Sequence, residues 1–327
     1  MKKKNILLIN DTSLICHHGC NLLMNTIYDF LEKNRISIKK KIYYEENYLN
    51  YVSSINSYDL ILINGEGTIH GKINSDTNKV NEIIEFIKIV KKKYKTPIVI
   101  FNSTISSLKK EQLKILNLVD KIYVREKYSY NYLKKEKIKS EILPDFLTLL
   151  KIKNIKKKNQ KIIVTDSSIQ KTTKKLFRFS NQKNYTYIPI LYNNYLRFIR
   201  FFTFKFALKF KINFFTKLYL FQKNKYLNIF LRKISNSNFI ITGRFHGIFI
   251  CLALMKPFYT FQSDTYKISG LIDLIGLKKR ILSIEDINTL KLRKFDKSEI
   301  LKIKKFKKKS KTKFHKFVKK LHNLRAV

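Results

Sequence analysis

Short β-rich runs alternate with helix-length amphipathic stretches along this chain, and that alternation restricts the fold more than any other feature. It is the pattern of parallel βαβ units. Segments 5–10, 36–43, 58–64, 97–101, 121–125 and 141–143 are expected strands, and 21–34, 79–93, 109–118 and 126–135 expected helices. They make residues 1–150 a doubly wound domain. A basic, linker-like stretch, 151–160, follows Pro144-Asp145, and the rhythm restarts with strands at 161–165 and 185–191. Later strands are expected at 238–242, 257–261 and 280–283, with helices at 226–234, 245–255 and 267–275. The 327 residues therefore read as two α/β domains, the second over 151–283, followed by a basic helical tail over 284–327. Two such domains facing one another bring their strand ends to a central cleft, where open α/β sheets bind ligands.

The formal net charge of +45 points first to an anionic partner such as nucleic acid or lipid. Lys, Asn and Ile, however, are abundant in strands, helices and loops alike, so most of the charge is a chain-wide bias. No nucleic-acid motif is visible, and no nucleic-acid partner is expected. Where Lys is the default cation, an Arg marks a place that needs a planar fork. Cys16, Cys20 and Cys251 make no disulfide framework, the apolar run 6–9 is too short for a signal core, and no run of ~18 apolar residues could span a bilayer. The expectation is a cytoplasmic protein. Segment 196–222 is crowded with Phe and cations, and from 202 to 214 every even position is apolar. It reads either as a strand-containing insertion packed on its own domain or as a membrane-surface element meeting anionic head groups, which would place the protein peripherally on the inner face of the cytoplasmic membrane. The stretch 302–324 reads as a solvated helix packed by Phe306, Phe314, Phe317 and Leu321.

Three motifs carry chemistry. In Ile240-Ile241-Thr242-Gly243-Arg244-Phe245-His246-Gly247 a strand ends, Gly243 turns the chain, and Arg244 and His246 stand at a helix start, where free N–H groups and the dipole favour an anion. Lys267 and Ser269 follow at the start of another helix. In Leu62-Ile63-Asn64-Gly65-Glu66-Gly67-Thr68-Ile69-His70-Gly71 the glycines let the backbone approach a ligand, with Thr68 and His70 beside them. Glu66 there reads as a general base or nucleophile, or else as a solvated loop residue. Asp11, Ser13 and His18 occupy the first strand–helix turn, a ligand-binding position in doubly wound folds. Cys16, His17, His18 and Cys20 have no recognised zinc spacing, so no metal is expected.

The strand, Gly-Arg-x-His-Gly, apolar helix, Pro, strand and Lys-x-x-Gly-Leu order resembles the polysaccharide pyruvyl transferase family, as do Val124-Arg125-Glu126 and Leu143-Pro144-Asp145. The resemblance covers most of the chain. It implies two Rossmann-like domains of the glycosyltransferase-B type, no cofactor, and transfer of a pyruvyl group from phosphoenolpyruvate to sugar hydroxyls as a ketal, in capsule or lipopolysaccharide biosynthesis, on a lipid-linked or nucleotide-linked glycan. Set beside that reaction, Arg244 is the clamp for the donor's anionic groups with Gly243, Gly247, Lys267 and Ser269 around it, and His246 is the acid. Arg125 and Asp145 would line the cleft with Ser13, His18, Gly65, Gly67, Thr68 and His70. Many relatives carry an all-glycine turn where this chain has Glu66. With Asp11 and His18, Glu66 is also similar to glycosyltransferases that use nucleotide-activated acidic sugars, of the CMP-3-deoxy-octulosonic acid or CMP-sialic acid type. Such donors carry the same carboxylate and phosphate, so Arg244 and His246 suit both.

Overall fold

The computed structural model describes residues 4–71, 77–152, 161–192 and 213–324. They form two compact units. One is made of Met1–Ser13, Met24–Leu149 and Lys304–Val327, the other of Leu14–Leu23 and Leu150–Ile303. Residues 14–23 and 304–327 thus each join the unit that chain order alone does not assign them to.

The first unit is built on six strands, β1 (Lys4–Asp11), β2 (Ile36–Tyr43), β3 (Leu60–Glu66), β4 (Ile98–Ser103), β5 (Lys121–Val124) and β6 (Glu141–Ile142). They pair in the order β2-β1-β3-β4-β5-β6, all parallel. Every residue of β3 and β4 is buried, the signature of a parallel sheet covered on both faces. In helix α2 (Thr77–Lys93), Val80, Ile83, Ile84 and Ile87 recur at helical spacing and bury against Ile61 and Ile63 of β3, leaving the Lys-rich remainder outside. Helices α3 (Lys110–Leu116) and α4 (Lys127–Lys135) complete the crossovers, and α1 (His18–Lys33) follows β1 in the chain.

The second unit holds β7 (Lys161–Ser167), β8 (Thr186–Tyr187), β9 (Ser237–Gly243), β10 (Phe258–Phe261) and β11 (Ile281–Leu282). The order β11-β10-β9-β7-β8 is again parallel throughout. Its helices are α5 (Gln170–Gln182), α6 (Asn213–Ser235), α7 (Phe245–Leu254) and α8 (Lys267–Ile275). Helix α5 has no counterpart in the sequence expectation. Its buried Leu176 and Phe179 stand among many Lys, Thr and Gln residues, so the apolar stripe is thin. The strand expected over 202–214 and the membrane element over 196–222 lie largely outside the described residues; 213–222 belong to α6, a helix rather than a strand. Among the described residues no helix is long and apolar enough to cross a membrane.

Helix α9 (Lys297–Asn323) starts five residues before the helix expected over 302–324, because Asp296 and Glu299 form a reciprocal cap. The Glu299 N–H donates to Asp296 Oδ1 at 2.8 Å and the Asp296 N–H to Glu299 Oε2 at 3.1 Å, satisfying two otherwise orphaned donors. Farther along, Phe314 packs on Phe146 and Phe30 with ring centroids 4.7 and 5.5 Å apart. Glu299 also receives the fork of the fully buried Arg280, Nε at 2.8 Å and Nη2 at 2.6 Å. Burial pushes the Glu299 carboxyl up, but the hydrogen bonds and charges from Arg280, Asp296 and Arg293 outweigh it and hold the group below the usual carboxylate range. Removing one partner of such a buried pair costs about 3–5 kcal/mol, so Glu299→Gln should lower the unfolding free energy by that order in a urea titration. Because the folded pKa is depressed, the stabilisation is full above the unfolded value and is lost as pH falls through the folded one; the Gln variant should lack that part of the acid dependence.

Candidate functional site

In the second unit the chain builds outward in opposite directions from β7 and β9, and the crevice at the carboxyl ends of such neighbours is where open parallel sheets receive ligands. A Cβ on Gly243 would lie 2.9 Å from Ser167 Cα, so these two strand ends approach more closely than any larger residue permits. The next residue, Arg244, precedes α7 with extended backbone. Its Nε donates to Asp166 Oδ2 at 2.8 Å and its Nη2 bonds the same oxygen, while Asp166 Oδ1 accepts the Ile190 N–H at 2.7 Å. The Arg244 side chain is 16% exposed and Asp166 only 3%. The expected clamp is thus anchored from behind by an aspartate that sequence reasoning missed. The signal was present: Asp166 directly follows the strand expected at 161–165 that restarts the α/β rhythm, and lies in β7. Lys267, opening α8, pairs with Asp264 at 3.1 Å. Ser269, expected at the donor, donates from the first turn of α8 to the Tyr266 carbonyl at 3.1 Å and accepts from Gln262 Nε2 at 3.3 Å. Gly247 sits in the first turn of α7, beside Thr242 and Ile190.

His246, also in that first turn, meets the first turn of α1. A Cβ on Gly19 would fall 2.6 Å from His246 Cγ, so only glycine allows the approach. The α1 start is held by main-chain bonds from His18 N–H to Ile190 O at 3.0 Å and from Tyr192 N–H to Cys16 O at 3.1 Å. His17 Nδ1 accepts the Cys20 N–H at 3.2 Å, and its ring meets His246 edge-on, centroids 5.4 Å apart at 79°. Burial first, then Arg244, His18 and Lys267, hold His17 well below the ordinary imidazole pKa. His18, expected to line the cleft, instead stacks on Phe230 at 4.2 Å and meets Tyr192 edge-on at 4.3 Å. Burial, aided by Lys223, pushes its pKa down to about 3. His17 precedes α1 and His18 is its first residue, so one histidine faces packing while its neighbour meets His246.

His17, Cys20 and His246 hold their donor atoms within 4.8 Å of one another, all buried, as metal ligands could. The surroundings favour an anion instead. His17 Nδ1 already takes an amide proton, Arg244 and Lys267 act on the same ring, and two helix N-termini supply further positive potential.

The corresponding switch point of the first unit, between β1 and β3, gathers a different set. Thr12 Oγ1 donates to Glu66 Oε1 at 2.9 Å, and Glu66 is 7% exposed, so it is not a solvated loop residue. Its φ of 37° is left-handed, a conformation costing a non-glycine residue about 1–2 kcal/mol. Asn10 (φ 63°) and Asn102 (φ 54°) share it at neighbouring strand ends, where Asn102 Nδ2 donates to Asn64 Oδ1 at 3.1 Å and Asn64 Nδ2 to Asn10 O at 3.2 Å. The Thr68 N–H closes the glycine loop onto Gly65 O at 2.9 Å, and Gly67 lies near the Arg125 guanidinium. Arg125 is buried against Asp145 at 3.0 Å and Thr104 at 2.8 Å; burial raises the Asp145 pKa, which the Arg125 charge only partly offsets. His70 is buried and bridges to Ser106. Asp11 Oδ1 accepts the Ser13 N–H in the turn after β1 at 2.8 Å, and its Oδ2 accepts from the Tyr28 hydroxyl of α1.

Two parallel doubly wound sheets, each with polar side chains at its switch point, define a Rossmann-like, two-domain α/β protein. Within that class the chain belongs to the polysaccharide pyruvyl transferase family, whose family model matches residues 17–265, and it is a transferase. No curated protein matches it. Among solved structures it is similar to a functionally uncharacterised protein of Klebsiella pneumoniae, at 13% identity and TM-score 0.52 over 86% of this chain and 92% of that one. A Methanocaldococcus jannaschii UDP-GlcNAc 2-epimerase in complex with UDP-GlcNAc and UDP gives 12% identity and TM-score 0.49, covering 92% and 91%. An alpha-glucosyltransferase in complex with UDP gives 9% and 0.47, covering 96% and 95%.

Gly19→Ala should overpack the contact with His246 and destabilise the protein by about 1–3 kcal/mol. A thermal melt would show the loss and the His246 ring resonances would move; if neither changed, the close approach is not present in solution.

Proposed function

We propose that this protein transfers a pyruvyl group from phosphoenolpyruvate to two hydroxyls of a lipid-linked or nucleotide-linked surface glycan, forming a ketal. The observation that carries the reading is the pairing of an Asp166-anchored Arg244 with His246 at the start of α7. Asp166 takes the Nε and Nη2 edge of the guanidinium and orients the Nη1 side toward an anion, while Lys267 and the α7 N-terminus add positive potential. A phosphate and a carboxylate on one small molecule match that arrangement.

In the reaction, protonated His246 delivers its proton to the methylene carbon as the first sugar hydroxyl adds to the central carbon. The second hydroxyl then displaces phosphate from that carbon. One hydroxyl proton replaces the one His246 gave, and the other leaves with phosphate or solvent. With phosphoenolpyruvate and a panel of glycan acceptors, wild-type protein should release phosphate, His246→Asn should lose about 10²–10⁴-fold in kcat, and Arg244→Lys should raise the donor KM.

A second reading, transfer from a nucleotide-activated acidic sugar, is favoured by one observation, the buried Glu66 held by Thr12 in a left-handed conformation. It predicts that Glu66→Gln abolishes sugar transfer while donor binding survives. Thermal stabilisation by cytidine nucleotides, with no phosphate released from phosphoenolpyruvate, would decide for this reading over the first.

A further inference from the structure

Two imidazoles in contact make a useful acid only if their surroundings assign the proton to one of them. His17 and His246 form such a pair, rings 5.4 Å apart and edge to face. His17 stands where the N-cap of α1 belongs, and its ring supplies the cap, Nδ1 accepting the Cys20 N–H at 3.2 Å. A ring nitrogen that accepts from an amide carries its lone pair, so the neutral ring keeps its hydrogen on Nε2. Protonating Nδ1 would break the cap.

The groups facing His17 are His18 and Cys20 on its own segment, Arg244 and His246 at the start of α7, and Lys267 at the start of α8. Arg244 is tied to Asp166 and Lys267 to Asp264, so both cations are fixed in place. Burial, joined by these charges, opposes a proton on His17. Gly19 sets the spacing, since its Cβ would meet the His246 ring. We propose that His17 is a positioning residue for His246: a helix-capping imidazole held as the Nε2–H tautomer, whose ring braces the second ring in a T-shaped contact and leaves that ring the proton carrier of the pair.

The role in catalysis rests on the pyruvyl-transfer reading, whereas the tautomer does not, and the experiment separates them. Long-range proton–nitrogen NMR on the full chain labelled at histidine should show His17 neutral and protonated at Nε2 throughout about pH 5–8; an Nδ1–H ring, or a proton taken up there, overturns the proposal. His17→Asn supplies the kinetic arm, because asparagine is a good N-cap whose Oδ1 can accept the Cys20 N–H while the Nε2–H is lost. It should melt near wild type and keep the phosphoenolpyruvate KM within about threefold, yet lose at least tenfold in the kcat for phosphate release, on the order of general acid effects. Full wild-type kcat in His17→Asn would reduce His17 to a helix cap. A wild-type protein that releases no phosphate would remove the positioning role together with pyruvyl transfer, with the tautomer still decided by NMR.

Discussion

Much of the second unit is arranged around one close approach, the first turn of α1 against the first turn of α7. It exists because residue 19 has no side chain; any Cβ there would lie within 2.6 Å of His246 Cγ. Main-chain bonds to Ile190 and from Tyr192 hold the segment in place from the other side. Two helix N-termini thereby share one small volume, and the positive ends of their dipoles contribute to its potential.

That potential explains the side chains around it. Histidines 17 and 18 are neutral because burial and nearby cations oppose a further charge. Arg244, which cannot lose its proton, is instead compensated by Asp166, and the compensation fixes its orientation. A guanidinium held on one edge is preorganised, so less side-chain entropy remains to be lost when an anion meets the other edge. The switch point of the first unit is held differently. Its strand ends are held by Asn10, Asn64 and Asn102 bonding across three adjacent strands, and Glu66 adopts a backbone conformation that glycine would adopt at less cost.

The alternation of strands and helices was readable to within a few residues where apolar periodicity is strong. Strand 36–43 and helix 267–275 match β2 and α8. It failed where the pattern is diluted, as in α5, or where a cap extends an element, as the Asp296–Glu299 pair does for α9. The helix start at Arg244–His246 was likewise legible, since a glycine closes the strand just before an apolar run.

What the sequence determined by itself is therefore the local chemistry: parallel α/β units, a glycine loop after β3, and Arg244 and His246 opening α7. It could not decide which of two adjacent histidines meets His246, nor that Asp166 anchors Arg244. Those choices depend on partners remote in the chain, Phe230 and Tyr192 for His18 and the paired ends of β7 and β9 for Asp166. His17, just before α1, and His18, its first residue, point in different directions, and only tertiary packing determines which direction is filled by neighbours and which meets His246.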